Sequence, residues 1–233
     1  MSLAQQPANN HASDALEILR QGLQKAAGSV KLACSFSLED VAVIDLAQRA
    51  GLSIGIFAID TGRLPEETYI TAETIRQRYQ VDIEWFFPQA EAVQELERTK
   101  GLFSFRESLA NRRECCRIRK VEPLQRALAD LAGWVTGLRR EQSATRGELT
   151  AIEIDRAHGD IVKINPLLDW SSEQLWDYAR EHRIPIHPLH KQGYPSIGCA
   201  PCTRAVREGE DLRAGRWWWE DPDHKECGLH RKH

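Results

Sequence analysis

The chain has 233 residues and a formal net charge of −3, with 42% hydrophobic and 28% charged residues. It is long enough to bury a sizeable core as one domain, and its charge balance argues against general nucleic-acid binding. No hydrophobic run reaches membrane-spanning length, and the opening Met1-Ser2-Leu3-Ala4-Gln5-Gln6 lacks the charged-then-apolar order of a secretory signal, so the expected compartment is the cytoplasm.

Residues 1–10 are polar and aperiodic, and a mobile tail is expected through residue 12. Ser13 then caps a helix in which Leu16, Leu19, Leu23 and Ala26 recur at helical spacing up to Gly28. Val30 to Cys34 reads as a strand, followed by Ser35-Phe36-Ser37-Leu38-Glu39-Asp40 and a helix to Gly51. A strand, a hydroxyl-rich turn and a helix N-terminus form an anion-binding arrangement. The same residues also suit a plain strand–helix connection with a capping serine, and the glycines and Gly-Lys pair of a Walker loop are missing. Ser53 to Ile59 predicts a second strand, with Asp60-Thr61-Gly62-Arg63 at its end and a helix from Pro65 to Tyr79. Val81 to Phe87 predicts a third strand, closed by Pro88.

A helix from Glu91 is expected to lead to the basic segment around Cys115-Cys116, with Val121 to Leu131 also helical. Gly133 to Gly137 is a fourth strand, opening into Leu138-Arg139-Arg140-Glu141-Gln142-Ser143-Ala144-Thr145-Arg146, whose arginines and polar side chains suit phosphate or sulfate. Leu149 to Ile154 and Ile161 to Ile164 predict a hairpin, and Ser171 or Ser172 caps a helix to His182. Strands alternating with helices give an α/β fold with a doubly wound, mainly parallel sheet. That places Ser35, Asp60 and Arg139 at the sheet end where such folds bind ligands. From Ile184 onward, regular structure is expected to be sparse.

Five of the six cysteines stand out: Cys115-Cys116, the pair in Cys199-Ala200-Pro201-Cys202, and Cys227. Two pairs brought together by the fold would make a four-sulfur site for a metal or an iron–sulfur cluster. Adjacent cysteines crowd a small tetrahedral zinc site, whereas a cubane offers them separate irons. The spacing therefore favours [4Fe-4S], with structural zinc and disulfides as alternatives. Arg112, Arg113, Arg117, Arg119 and Lys120 surround the first pair as an anionic cluster or substrate would require, although a solvated basic helix face has the same composition. Cys34 reads as a small buried apolar residue. Cys227 is left over and has His230 three residues on, with Arg213, Arg216 and Trp217-Trp218-Trp219 before it.

Together, the motifs at 35–40, 60–64, 115–120, 136–142, 163–167, 198–202 and 226–230 resemble the assimilatory adenylylsulfate (APS) reductases, the cluster-containing branch of the APS/PAPS reductase family, over roughly residues 13–230. The resemblance implies an adenine nucleotide α-hydrolase-like sheet related to ATP pyrophosphatases. It also implies a [4Fe-4S] cluster on Cys115, Cys116, Cys199 and Cys202. Ser35, Phe36, Ser37, Asp60, Thr61, Gly62, Arg63, Arg139, Arg140 and Gln142 would bind APS, while Lys120, Arg213, Arg216 and His230 would hold its sulfate end for the nucleophile Cys227. Thioredoxin or glutaredoxin would be the reductant. The implied organisation is a tail (1–12), a nucleotide-binding domain with the cluster site (13–205) and a C-terminal segment with the catalytic cysteine (206–233). The oligomeric state is left open, a homo-oligomer included.

Three rivals share features of this sequence. An ATP-dependent sulfur-transfer or tRNA-thiolation enzyme would need the Ser-Gly-Gly-x-Asp-Ser loop that Phe36 and Leu38 replace. A non-enzymatic metal-bearing sensor does not explain Cys227. A PAPS or dual APS/PAPS reductase would need a basic pocket for the ribose phosphate. Residues 35–40 contain no basic side chain, and their Glu39 and Asp40 are expected to repel that phosphate, so APS is the expected substrate.

Overall fold

The structure, a computed structural model, describes residues 8–142 and 149–221. Its sheet contains β1 (Val30–Ala33), β2 (Gly55–Ile59), β3 (Ile83–Phe86), β4 (Gly133–Val135), β5 (Ile152–Asp155) and β6 (Ile161–Ile164), in the order β3-β2-β1-β4-β6-β5. Every neighbouring pair is parallel except β5 with β6, which form the expected hairpin, so the sheet is mainly parallel and doubly wound as the sequence pattern predicts.

Side chains alternate across the strands and feed two cores. Leu32, Ile56, Ala58, Val135 and Ile164 face one side and pack with α1 (Ala8–Ala26), α2 (Leu38–Arg49), α3 (Glu66–Tyr79) and α7 (Ser172–His182). Phe57 and Trp134 face the other side and pack with Leu124, Ala127 and Leu128 of α6 (Glu122–Leu128). Helix α2 is buried from Leu38 to Ala47 and is therefore apolar on most of its faces. Helix α1 meets β6 at Gly22, where a Cβ would stand 2.6 Å from the Ile164 side chain.

Helix α1 begins at Ala8, ahead of the expected Ser13, so residues 8–12 are helical and do not belong to a tail. A tertiary tie accounts for the extra turn. The Gln174 amide donates to His11 Nε2 at 2.7 Å, while its carbonyl oxygen completes the capping box on Ser171 at the start of α7.

The region expected to be one helix leading to the cysteine pair is broken. Helix α4 (Ala90–Lys100) stops at Gly101, which takes φ 82°, and a 3-10 turn covers Ser104–Arg106. Helix α5 (Leu109–Cys116) then starts on Ser108, whose hydroxyl accepts from the Asn111 N–H. A π turn, Arg117–Val121, joins α5 to α6. Pro123 explains it, because in an α-helix the proline would lack the N–H that bonds the Arg119 carbonyl and its ring would press on that group. In the wider turn the Glu122 N–H donates to the Arg117 carbonyl, five residues back.

Among the described residues no helix is long and apolar enough to cross a membrane. Asp45 joins α2 to α3 and α7: its carboxylate accepts from Tyr178 OH at 2.7 Å, Tyr79 OH at 3.0 Å and Arg49 Nε at 2.6 Å. Asp45→Ala should strand the buried Tyr178 hydroxyl and destabilise the protein by about 2 kcal/mol, a loss of roughly 4–8 °C in Tm by thermal unfolding.

Candidate functional site

The chain leaves β1 toward β2 and β3, then returns on the other side of β1 to form β4. The loops after β1 and β4 therefore flank a crevice at the carboxyl ends of the strands, the usual ligand position in such sheets. Ser37 caps α2. The Ser35 N–H and Oγ donate to one oxygen of Asp40 at 2.7 and 2.8 Å, and the Asp40 N–H reaches Ser37 Oγ at 3.5 Å. The donors expected to face an anion thus hold the chain's own carboxylate. Burial pushes Asp40 up to about 6 despite those hydrogen bonds. Gly137 after β4 closes over it, since a Cβ there would stand 2.5 Å from Asp40 Oδ1. Phe36 is buried, with φ 63° and its ring 5.5 Å from that of Trp85.

The second loop is fastened to α2. Arg139, expected to grip substrate, is buried and donates to Glu39 at 3.0 Å, to Glu141 at 2.9 Å, and to the Trp170 carbonyl and the Ser172 hydroxyl. Gln142 donates to the same Glu39 oxygen at 2.8 Å. Arg140 donates to Asp169 and to the Leu149 carbonyl. Glu39 is therefore compensated inside the fold, and the expected repulsion of a ribose phosphate is not supplied by it. Thr145, Arg146 and Ser143 lie outside the described residues.

The β2–α3 turn links this crevice to the cysteines. Asp60 accepts from the Gly62 N–H and Tyr69 OH, which shapes the turn. Thr61 Oγ1 lies 3.2 Å from Cys199 Sγ, and the Ala200 N–H donates to the Arg63 carbonyl at 2.8 Å. Arg63 is directed to the cysteine side of this turn. It donates to Glu97 and the Leu102 carbonyl, lies 5.1 Å from the Phe105 ring, and lines a cavity with all four paired cysteines. Arg112, Arg119, Lys120 and Trp217 line the same cavity.

Cys115, Cys116, Cys199 and Cys202 are buried and not joined in disulfides, and they pack with Leu96, Phe105, Ile118 and Trp217 in a core separate from the sheet's. Among the described residues no three Cys, His, Asp or Glu side chains are placed to hold one metal ion. The basic run splits: Arg112, Cys115, Cys116 and Arg119 share one buried face, while Arg113 and Arg117 are exposed, Arg117 pairing with Glu122. Arg119 donates to the Thr61 carbonyl at 2.7 Å and to Glu97 at 2.6 Å. Arg216 packs so close to Gly198 that a Cβ there would lie 2.3 Å from its Nη2. Arg213 is half-buried and does not line the cavity. Glu97, Phe105 and Glu220 carry no motif in the sequence and emerge only from the packing.

The thiols divide electrostatically. Burial drives Cys202 up to about 12, helped by the neighbouring Cys199 and against Lys120. Burial also raises Cys115, against Arg63 and Arg119. At Cys199 burial is outweighed by Lys120, the Thr61 hydroxyl, Arg216 and Arg119, and the thiol falls below its ordinary value. Cys227 and His230 lie outside the described residues.

A family model for the phosphoadenosine phosphosulfate reductase domain matches residues 29–205. The chain is 51% identical to the adenosine 5′-phosphosulfate reductase of Allochromatium vinosum, covering 94% of this chain and 84% of that one. It is 48% identical to the protein of the same name from Neisseria meningitidis, with 97% and 95% covered. Among solved structures, phosphoadenylyl-sulfate reductase from Candida auris in a phosphate complex superposes with a TM-score of 0.69 at 26% identity, covering 88% of this chain and 99% of that one. FMN adenylyltransferase of Candida glabrata, with a TM-score of 0.62 at 14% identity over 100% of this chain and 78% of that one, shares the fold alone.

Asp40 sets a pH dependence. Its folded-state value of about 6 exceeds the ordinary 3.8, so between these values the native state binds the proton more tightly than the unfolded chain. Stability then falls as pH rises through this window, by up to about 3 kcal/mol for this one group. Asp40→Asn should remove that slope, and denaturant unfolding of both proteins from pH 4 to pH 7 measures it. Parallel curves would show that Asp40 titrates normally.

Proposed function

The chain belongs to the phosphoadenosine phosphosulfate reductase family, among the adenosine 5′-phosphosulfate (APS) reductases, and from that premise we propose that it reduces APS to sulfite and AMP in sulfate assimilation. The observation that carries this beyond family membership is the single cavity gathering both cysteine pairs with Arg63, Arg119 and Lys120, joined through the β2–α3 turn to the β1/β4 crevice.

Cys115, Cys116, Cys199 and Cys202 would hold a [4Fe-4S] cluster. Four buried thiols in one cavity, two of them adjacent in sequence at Cys115 and Cys116, suit a polynuclear group better than a single zinc. Two buried donors on the cavity wall, Arg119 Nε and Trp217 Nε1, have no hydrogen-bond partner among the described residues and suit sulfur acceptors. When bound, the cluster would supply a compact anionic centre that orders the cations around it.

The nucleotide occupies the β1/β4 crevice, and its sulfate points toward Lys120 at the edge of the cysteine cavity. The Cys227 thiolate attacks the sulfate sulfur, and the bond from that sulfur to the bridging oxygen breaks. AMP leaves with the electron pair, and an S-sulfocysteine remains. Lys120, Arg213 and Arg216 offset the repulsion between thiolate and sulfate and the charge left on AMP, and with His230 they keep Cys227 ionised. A thiolate of thioredoxin or glutaredoxin then attacks Cys227 Sγ and expels sulfite. The reductant's second thiol resolves the mixed disulfide, so the dithiol gives up the two electrons that the sulfur gains. The reaction belongs in the cytoplasm, where dithiol reductants keep thiols reduced.

Anaerobically purified protein should be brown, with about four irons and four sulfides per chain, and Cys→Ser at 115, 116, 199 or 202 should lose them. Colourless protein with stoichiometric zinc would overturn the assignment. Cys227→Ser should keep the iron, bind AMP, release no sulfite and form no adduct of about 80 Da; an adduct surviving in this variant would move the nucleophile elsewhere.

Substrate choice follows from the geometry of the loops. Around the crevice Arg139 is committed to Glu39 and Glu141, and Arg140 to Asp169, while Arg63 is turned to Glu97. Among the described residues of these loops a ribose 3′-phosphate meets no dedicated basic pocket, and kcat/KM for APS should exceed that for PAPS by at least about tenfold, or roughly 1.4 kcal/mol. Paired assays with thioredoxin decide it, and equal efficiency would establish a dual-substrate enzyme.

A further inference from the structure

We infer that Glu220 is a positioning residue for the reaction: through its buried ion pair with Arg112 it fastens the C-terminal segment to the four-cysteine cavity and sets where the chain departs toward Cys227. The inference rests on the reading of Cys227 as the nucleophile. The two oxygens of Glu220 take Arg112 Nε at 2.9 and 3.2 Å and Nη2 at 2.8 Å. Both side chains are buried, at 2% and 9% exposed for Arg112 and Glu220. Arg112 lies one turn before Cys115-Cys116 on α5 and lines the cavity, and it interacts with Cys116 as well as with Glu220.

The same guanidinium lies 4.6 Å from the ring centroid of Trp217, and that of Arg216 lies 4.7 Å from it. Trp217 is 1% exposed and holds a left-handed backbone, φ 41°. A tryptophan keeps that conformation only where its surroundings enforce it. They do so through the Trp217 N–H, which donates to the Cys202 carbonyl at 3.1 Å, and through the Glu220 N–H, which donates to the Trp217 carbonyl at 2.9 Å. One carboxylate thus fixes one guanidinium, which in turn fixes a strained tryptophan between both cysteine pairs.

Removing the charge of Glu220 leaves a buried guanidinium uncompensated, which the fold relieves by releasing Arg112 toward water or admitting water to it. Either response frees Trp217 and shifts the start of the segment that carries the nucleophile. Displacements of about 1 Å are enough to slow a reaction that depends on in-line approach. The contacts described for this pair run to Trp217 and Cys116 on the side of the cysteine cavity, so nucleotide affinity in the crevice between the β1 and β4 loops is expected to be unchanged.

The test uses the cluster-loaded protein and the variants Glu220→Gln and Glu220→Asp. In Glu220→Gln, kcat for sulfite release should fall at least tenfold, with KM for APS and Kd for AMP within about twofold and iron content and visible absorption unchanged. Trypsin cleavage after Arg216, a buried site in the intact protein, should be at least tenfold faster. Glu220→Asp, whose carboxylate is one methylene short, should fall between the two proteins in both readouts, and it decides the matter should Glu220→Gln not accumulate. Wild-type kcat with wild-type cleavage in either variant overturns the inference. So does activity that falls only in proportion to iron, which would make the pair a support of the cavity alone. Failure of the nucleophile reading is separate: it would show as sulfite formation by Cys227→Ser, whatever the cleavage at Arg216.

Discussion

Burying several cations beside four thiols is the constraint around which this molecule is arranged. Arg112, Arg119 and Arg216 are at most 7% exposed, and Arg63 and Lys120 stand on the same wall. A guanidinium leaves water only where carboxylates, carbonyls or aromatic faces replace its hydration. Glu97 serves both Arg63 and Arg119, while the Thr61 carbonyl accepts from Arg119 and the Leu102 carbonyl from Arg63. Glu220 serves Arg112, while Arg216 donates to the Ile197 carbonyl and its guanidinium also meets the Trp217 ring. The β2–α3 turn, α4, α5 and the segment after residue 200 are thus tied together by the charges of the site. The apolar core of the sheet contributes little to that junction, because the cluster around the cysteines is separate from it.

That division has a consequence for the thiols. Cys199 and Cys202 belong to one tight turn, yet their surroundings shift the first thiol down and the second up, a difference that the spacing of a Cys-x-x-Cys motif does not reveal. The difference lies in what the other elements bring: Lys120 from the π turn and Thr61 from the β2–α3 turn act on Cys199. Pro123 therefore matters at a distance from itself. By forcing a π turn it alters the register between Cys115-Cys116 and Lys120, and with it the position of a charge that the site needs.

Periodicity carried the sheet, the hairpin at β5–β6 and the Ser171 cap, because those features depend on residues close in sequence. The gathering of the four cysteines was equally legible from their pairing, as was the position of Ser35, Asp60 and Arg139 after the carboxyl ends of strands, from the alternation of strand and helix. The inward face of α5 was present as well, since Arg112, Cys115, Cys116 and Arg119 recur at helical spacing. The compensating carboxylates were not. Glu97 is 22 residues from Arg119 and Glu220 is 108 residues from Arg112, and neither sits in a recognisable pattern. For the same reason Arg139 read as a substrate ligand: nothing local reveals that Glu39, 100 residues away, takes its guanidinium. The early start of α1 likewise depended on Gln174, far along the chain.

The first loop shows how one sheet serves different chemistry. FMN adenylyltransferase shares the architecture at 14% identity, so the fold alone does not select a reaction. In ATP-using relatives the resemblance places glycine where Phe36 stands, and Phe36 here adopts φ 63°, the left-handed conformation that glycine adopts freely. A phenylalanine there costs on the order of 1 kcal/mol, which its nearly complete burial and its ring contact with Trp85 offset. Here the loop is filled by an aromatic side chain, and Asp40 holds the Ser35 donors beside it. A loop with that filling leaves little room for a departing pyrophosphate beside Ser35, which agrees with the proposed break at the sulfate, on the side of the four-cysteine cavity.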